Sequence, residues 1–437
     1  MKIAVVGAGW AGLAAAVQAT QAGHTVTVFE AARTPGGRAR SVPVTGPQGG
    51  TLALDNGQHI LIGAYTATLQ LMRTVGVNPD AALHRRPLAL QFPDGSGLRC
   101  PDAPAPLDAL AGICTARGWQ WRDKLSLLRA AIGWQRAGFV CAPGTSVAAL
   151  CAGLGPKLRA EMIDPLCVSA LNTPAEEACA QVFLRVLQDA LFGVRGGSHL
   201  LTPRPSLGAL LPDAAVRWLA SRGVPVHLGQ RVQALQALPA LDGPRWEVDG
   251  QVFDRVLLAC PPGEAARLVE GVPKTLLAPP ALHTWAAQAR ALRFTAISTV
   301  YAYSPTVARQ PLAAPMLALR CTAEWPAQFV FDKGQTSAAH GVPPGVLAFV
   351  VSASTGSRDW LEQQVSAQAA TQLGLHDLQV LQTVVEKRAT FACTPALVRP
   401  PMDIAPGLRA CGDYIAGPYP ATLEGAVRSG LAAGLAL

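Results

Sequence analysis

The run LDNGQHIL, residues 54–61, sets Asp55, Asn56, Gln58 and His59 among apolar neighbours. A carboxyl, two carboxamides and an imidazole this close together have two readings. They can tie a loop to its own backbone, or they can line a site where one group gives up a proton and the others orient it. In the first reading His59 holds the loop and Asp55 shapes a turn. In the second, Asp55, Gln58 and His59 are the acid and its orienters, since no other dense polar cluster lies near the glycine motifs.

Those motifs carry a second chemistry. KIAVVGAGWAGLAAAVQATQAGHTVTVFE reads as a strand at 3–6, a glycine turn, a helix at 10–22, a strand at 25–29 and an acid. In the spacing Gly7-x-Gly9-x-x-Gly12, Gly7 allows the tight turn and Gly9 lets a pyrophosphate approach the backbone. Gly12 lets the helix pack on the strand, and the helix N-terminus at Trp10 and Ala11 faces the phosphates. Glu30 is placed to accept hydrogen bonds from an adenosine ribose, and its charge repels a 2′-phosphate. A lone glycine motif says little, but this one sits in a complete βαβ unit. NAD and FAD both use such a turn.

The whole chain narrows the classes. Its 437 residues allow two or three domains, and it is half hydrophobic with 15% charged residues. Net charge is +8, carried mostly by scattered arginines with no dense basic run. That excludes a nucleic-acid arm and leaves an anionic membrane surface or a phosphate-bearing cofactor. Ten cysteines occur without any C-x-x-C spacing, so they read as core thiols of a reducing compartment, and no metal site is expected. The uncharged stretch 3–29 is broken by four glycines and by Gln18 and Gln21, unlike a signal peptide or membrane span. The closing GLAAGLAL stops in mid-helix, which implies a natural chain that continues a little further.

Two stretches break the tie between the dinucleotides. RTPGGRARS, with Gly36, Gly37 and Arg38, resembles the second glycine motif of the FAD-dependent amine oxidase and phytoene desaturase superfamily. LRACGDYIAGPYPATLEGAVRSGLAAG resembles that superfamily's last motif. The resemblance implies FAD, with Gly36, Gly37 and Arg38 closing over its diphosphate and ribityl chain. It places Gly412 and Asp413 at the ribityl or diphosphate region, and a helix start near Thr422 and Leu423 at the flavin ring. A helix N-terminus there favours the negative charge of a reduced flavin. The resemblance also puts Val232, in a strand over 231–235, against the adenine, and Asn56 and Gly57 beside the cofactor.

The expected fold class is therefore α/β: a discontinuous Rossmann-like FAD-binding domain with a substrate domain of antiparallel sheet plus helices. The FAD-binding parts are 1–75, 201–275 and 399–437. The substrate domain takes 76–200, mainly helical, and 276–398, mainly sheet. A helix is expected over 358–373 between strands. WQWRDKLSLLRAAIGW puts Trp121, Leu125, Leu128 and Ile132 on one helical face. That face either packs on its own domain or lies at a membrane interface among basic residues.

GAGWAGLAAA, LDNGQHILIGAY, FVFDKG and CGDYIAGPYPATLEGAVRSG together resemble the bacterial hydroxysqualene dehydroxylases, along essentially the whole chain. That family is taken to reduce hydroxysqualene to squalene with reduced flavin. It implies a long-chain C30 isoprenoid substrate and functional association with the squalene-pathway synthases. The expected location is cytoplasmic, at the inner face of the membrane. His59, Gln58, Asp55 and Tyr419 are then the catalytic candidates, with Glu424 close to the flavin and Asp332 and Lys333 further candidates. Three rivals stay open. A carotenoid-type desaturase would run the same fold oxidatively. An amine oxidase is disfavoured because no lysine lies between Lys274 and Lys333. A GDI-like lipid carrier would bind no flavin, which the Gly37-Arg38 and Gly412-Asp413 pairs argue against.

Overall fold

The computed structural model describes residues 1–239, 245–273 and 281–435. Strand Lys2–Val6 is buried on both faces after its first residue, as a central parallel strand must be. It pairs in parallel with Thr25–Glu30 on one side and Arg255–Leu258 on the other. Val226–Leu228 extends the sheet beyond Thr25–Glu30, and Leu408–Ala410 extends it beyond Arg255–Leu258. Asp403–Ala405 closes this six-stranded sheet as an antiparallel edge. Five of the strands thus come from three distant parts of the sequence and run parallel.

Small residues let the first helix, Trp10–Gln21, meet the last, Leu423–Leu435. A Cβ added at Gly430 would stand 2.1 Å from the carbonyl oxygen of Ala11, and one at Gly434 would stand 2.6 Å from that of Ala15. The C-terminal helix is thereby pressed against the helix that follows the first glycine motif.

The second sheet is antiparallel, in the order 316–318, 329–332, 346–351, 294–303, 379–391. Its side chains alternate between faces. Val300, Ala302, Val330, Leu347 and Phe349 pack against Leu361, Val365 and Ala369 of helix Arg358–Leu373. On the opposite face Tyr301, Phe329, Phe331, Ala348 and Val350 join a core that also holds Phe29, Val44 and Leu54. Helices between Leu107 and Leu191 cover the rest. The expected architecture is observed: a discontinuous parallel sheet with helices, and a separate antiparallel sheet.

Local expectations fare unevenly. The helix over 358–373 is found at those bounds. The expected strand over 231–235 is not: Val226–Leu228 takes the sheet position, and Val232 lies in irregular chain, although buried. Side chains have taken its backbone partners. The Asp249 carboxylate accepts from the N–H groups of Gln233 and Ala234, and Arg267 donates to the carbonyls of Val232 and Gln233. The helix Trp121–Arg136 turns Lys124 and Leu127 inward and leaves Trp121 68%, Leu125 47% and Ile132 47% exposed. Trp121, Leu125 and Ile132 of its apolar stripe therefore face outward, while Leu128 is partly buried against the core beside Leu127. Lys274, the 275/276 domain boundary and the last two residues lie outside the described residues. Among the described residues no helix is long and apolar enough to cross a membrane.

Candidate active site

The first glycine turn is built for close approach. Gly7 sits at φ +117°, where a side chain would be strained, and a Cβ there would come 2.7 Å from the Ala259 carbonyl. A Cβ on Gly12 would meet the Gly7 carbonyl at 1.9 Å. The helix opens at Gly9 with no capping side chain and no acid in its first turn, so the N–H groups at Trp10 and Ala11 remain open to an anion. Gly36 donates to the carbonyl of Ala8 at 2.8 Å, which brings the two glycine motifs into one cradle. The Glu30 carboxylate accepts from Ala8 N and Ala32 N, one bond to each oxygen. Each oxygen keeps a lone pair that a ribose diol can use.

Arg38 joins the two ends of the chain. It donates to Asp413 at 2.5 Å and to the Ala389 carbonyl at 2.6 Å. Asn56 donates to the Arg38 carbonyl at 3.0 Å and to Glu386 at 3.1 Å. One cluster thus gathers the second glycine motif, the polar run, strand Gln379–Phe391 and the C-terminal motif.

The polar run is clamped by the antiparallel sheet. Gln58 donates its backbone N–H to the Thr299 hydroxyl at 3.1 Å, and the Tyr301 hydroxyl donates to the Asp55 carbonyl at 3.0 Å. Thr299 and Tyr301 project from the same face of strand Phe294–Tyr303. Asp55 is 1% exposed and one of its oxygens accepts from Leu207 N at 2.7 Å. Burial pushes its carboxyl up, opposed by the charge of Lys333, the Leu207 N–H and His59. His59 Nδ1 lies 2.8 Å from the Gly57 carbonyl. A carbonyl only accepts, so Nδ1 carries the proton and a neutral ring presents a bare Nε2. Burial lowers the His59 pKa, which favours that neutral form. The ring is an acceptor at Nε2 in this state and donates there only when charged.

Lys333 is, with Asp332, the candidate that sequence reasoning ranked lowest. It is 3% exposed, and its ammonium makes no hydrogen bond among the described residues. Burial lowers its pKa while Asp55 raises it. The available signal was a lysine directly after the apolar strand run FVFD. Its neighbour Asp332 is structural: it accepts from Leu312 N, Gln335 N and Gln335 Nε2.

Other candidates spread out. Tyr419 accepts from Arg185 at 3.2 Å and is flanked by the Arg185 and Arg428 guanidinium groups, 5.2 and 4.8 Å from its ring. Thr422 caps the last helix, accepting from Gly425 N at 2.9 Å just before Leu423 begins it. Glu424 is fully buried but committed to structure, accepting from Ala67 N, Thr68 N, the Thr68 hydroxyl and Arg428. Burial raises the thiols of Cys393 and Cys411 to about 12, which suits core packing, whereas Cys321 is exposed. Among the described residues no cluster is arranged to hold a metal ion.

Among the buried side-chain atoms without a hydrogen-bond partner are the Gln58 carboxamide oxygen and the Tyr414 hydroxyl. Tyr414 follows Asp413 directly, and Gln58 lies in the polar run. Native interiors rarely leave such atoms unpaired, so these two fit a polar ligand beside the polar run and the C-terminal motif.

The family model described as flavin containing amine oxidoreductase matches residues 10–434. A hydroxysqualene dehydroxylase of Rhodopseudomonas palustris is 30% identical, with 98% of this chain and 96% of that protein covered. A hydroxysqualene dehydroxylase of Zymomonas mobilis is 28% identical over 99% of this chain and 98% of that one. Among solved structures, an oxidoreductase from Methanosarcina mazei superposes with a TM-score of 0.71, 18% identity and 99% coverage of both chains. That likeness concerns the fold. The chain belongs to the flavin containing amine oxidoreductase family, on the branch of the hydroxysqualene dehydroxylases.

Proposed function

We propose that the protein removes the hydroxyl of hydroxysqualene reductively, releasing squalene and water, with FAD as its flavin. The observation that carries this reading is end-to-end similarity to hydroxysqualene dehydroxylases. The site chemistry is compatible with it. The face of Tyr301, Phe329, Phe331, Ala348 and Val350 is apolar, as a polyene requires, and the charged pair Asp55 and Lys333 is buried at its margin. Gly7, Gly9, Trp10, Ala11 and Gly12 would hold the diphosphate, Glu30 the ribose, and Gly36, Gly37 and Arg38 the ribityl side. Asp413, Thr422 and Leu423 would meet the cofactor from the other end, with Asn56 and Gly57 beside it. Val232 is buried and would touch the adenine through its backbone.

When reduced, the flavin supplies a hydride to the carbon that loses oxygen, and a proton completes the departing water. The chain's own residues then have three tasks. The apolar sheet face excludes water. His59 Nε2 accepts a hydrogen bond from the substrate hydroxyl and orients it, and Gln58 braces the His59 backbone through its bond to the His59 carbonyl at 2.8 Å. Tyr419, between its two arginines, lies beside the start of the last helix and would guard that end of the site.

The substrate is lipid-soluble, and the outward stripe of Trp121, Leu125 and Ile132 lies on a helix that also exposes Arg122, Arg129 and Arg136. This surface would rest on anionic lipid at the inner face of the cytoplasmic membrane. Release of substrate there by a squalene-pathway synthase would deliver it without passage through water.

The test is incubation with hydroxysqualene and chemically reduced FAD, followed by product identification. Squalene is expected. Oxidation of a polyene by the oxidised protein, with hydroxysqualene untouched, would replace this reading with that of a desaturase.

A further inference from the structure

We propose that Lys333 is the proton donor to the departing hydroxyl and that Asp55 holds its ammonium in place. This rests on the dehydroxylase reading above and assigns its acid. The geometry starts from sheet register. Phe331 pairs with Ala348, and Ala348 pairs with Tyr301. These three residues lie in one row on one face, and from that row Tyr301 reaches across to the Asp55 carbonyl at 3.0 Å. Lys333 is two positions beyond Phe331, at the point where strand Phe329–Asp332 gives way to the helix Lys333–Ser337. Its side chain is 3% exposed at that end of the row.

The two charges are not in hydrogen-bond contact, and each still favours the charged form of the other. The Lys333 ammonium has no acceptor among the described residues, and only one Asp55 carboxylate oxygen has a donor, the Leu207 N–H. The ammonium has no protein acceptor among the described residues, so a substrate hydroxyl that reaches it would supply one. The hydroxyl oxygen would accept from Lys333 while its proton is directed to His59 Nε2.

The step balances. The C–O bond breaks as hydride from the reduced flavin forms a C–H bond, and the oxygen takes the Lys333 proton and leaves as water. Lys333 is left neutral, a form that its burial favours, and solvent protons restore it after product release. Neutral His59 has no proton at Nε2 to give, and Lys333 carries one.

The test compares wild type with Lys333→Met and with the double variant Lys333→Met/Asp55→Asn. The second removes both buried charges and so stays testable if the single variant is unstable. Anaerobic reoxidation of the reduced holoenzyme by hydroxysqualene should slow by about 10²- to 10⁴-fold in either variant. A second readout is independent of turnover: the oxidised wild type should bind hydroxysqualene about 10- to 100-fold more tightly than squalene, and the variants should lose that preference. Reoxidation at the wild-type rate, or an unchanged preference, would overturn the assignment of Lys333. If the wild type itself leaves hydroxysqualene unreacted, it is the dehydroxylase reading that fails.

Discussion

Arg38 and Asp413 form an ion pair at 2.5 Å that ties the second glycine motif to the C-terminal motif. Both residues belong to the predicted flavin site, so the pair doubles as a structural clasp. Arg38→Gln should lower the flavin content of the purified protein and weaken rebinding by about 10- to 100-fold, the worth of a lost charge-assisted hydrogen bond. Full occupancy and unchanged affinity would place the flavin elsewhere.

A second clasp holds the antiparallel sheet to the helical segment. Asn172 ends helix Asp164–Leu171 at φ +48° and is 2% exposed. Its amide donates to the hydroxyls of Thr295 and Thr390 at 2.9 and 3.0 Å, and its oxygen accepts from Ala353 N at 2.5 Å. Asn172→Ala strands these groups and adds left-handed strain, for a cost of about 3 kcal/mol or more. Asn172→Gly relieves the strain alone and should be about 1 kcal/mol milder. Denaturant midpoints measure the difference, and equal midpoints would show that backbone strain does not contribute.

The pH profile should carry the signature of a buried ammonium. A proton donor works when protonated, so the rate is full below its pKa and falls as pH rises through it. Burial lowers the Lys333 pKa from the ordinary 10.5. The alkaline limb of kcat/KM should therefore come earlier than for a free lysine, and Lys333→Met should remove it. The groups facing Lys333 are Asp55 and, through Asp55, His59. Both are already in their neutral-pH state there, so they leave the sign of this limb unchanged.

Contact with lipid should depend on the outward stripe. Vesicles containing anionic lipid should bind the protein at low salt and release it as salt screens the charge. Replacing Trp121 and Leu125, 68% and 47% exposed, by serine should abolish flotation without altering flavin content. Equal flotation of this variant would assign lipid contact to another surface.

The glycine turn and its βαβ unit were legible in the sequence because their constraints are local. Gly7, Gly9, Gly12 and Glu30 sit within one βαβ unit, and each answers to a turn, an approach or a cap. The polar run was equally visible, but its partners were not. Thr299, Tyr301 and Glu386 reach it from strands far along the chain, and spacing alone does not encode such contacts. The burial of Lys333 was hidden for the same reason, since it depends on how the sheet packs. The strand expected at Val232 failed because Asp249 and Arg267 satisfy its backbone through side chains, which propensity does not register. The stripe on Trp121–Arg136 was read correctly as a face, and only the structure shows which way it points.

The most direct measurement is anaerobic single turnover of the reduced holoenzyme with hydroxysqualene, following flavin absorbance and product together. The dehydroxylase reading predicts one flavin oxidised for each squalene formed. If the flavin stays reduced beside hydroxysqualene, while a polyene hydrocarbon instead reduces the oxidised protein, the direction of electron flow is reversed and the account is contradicted.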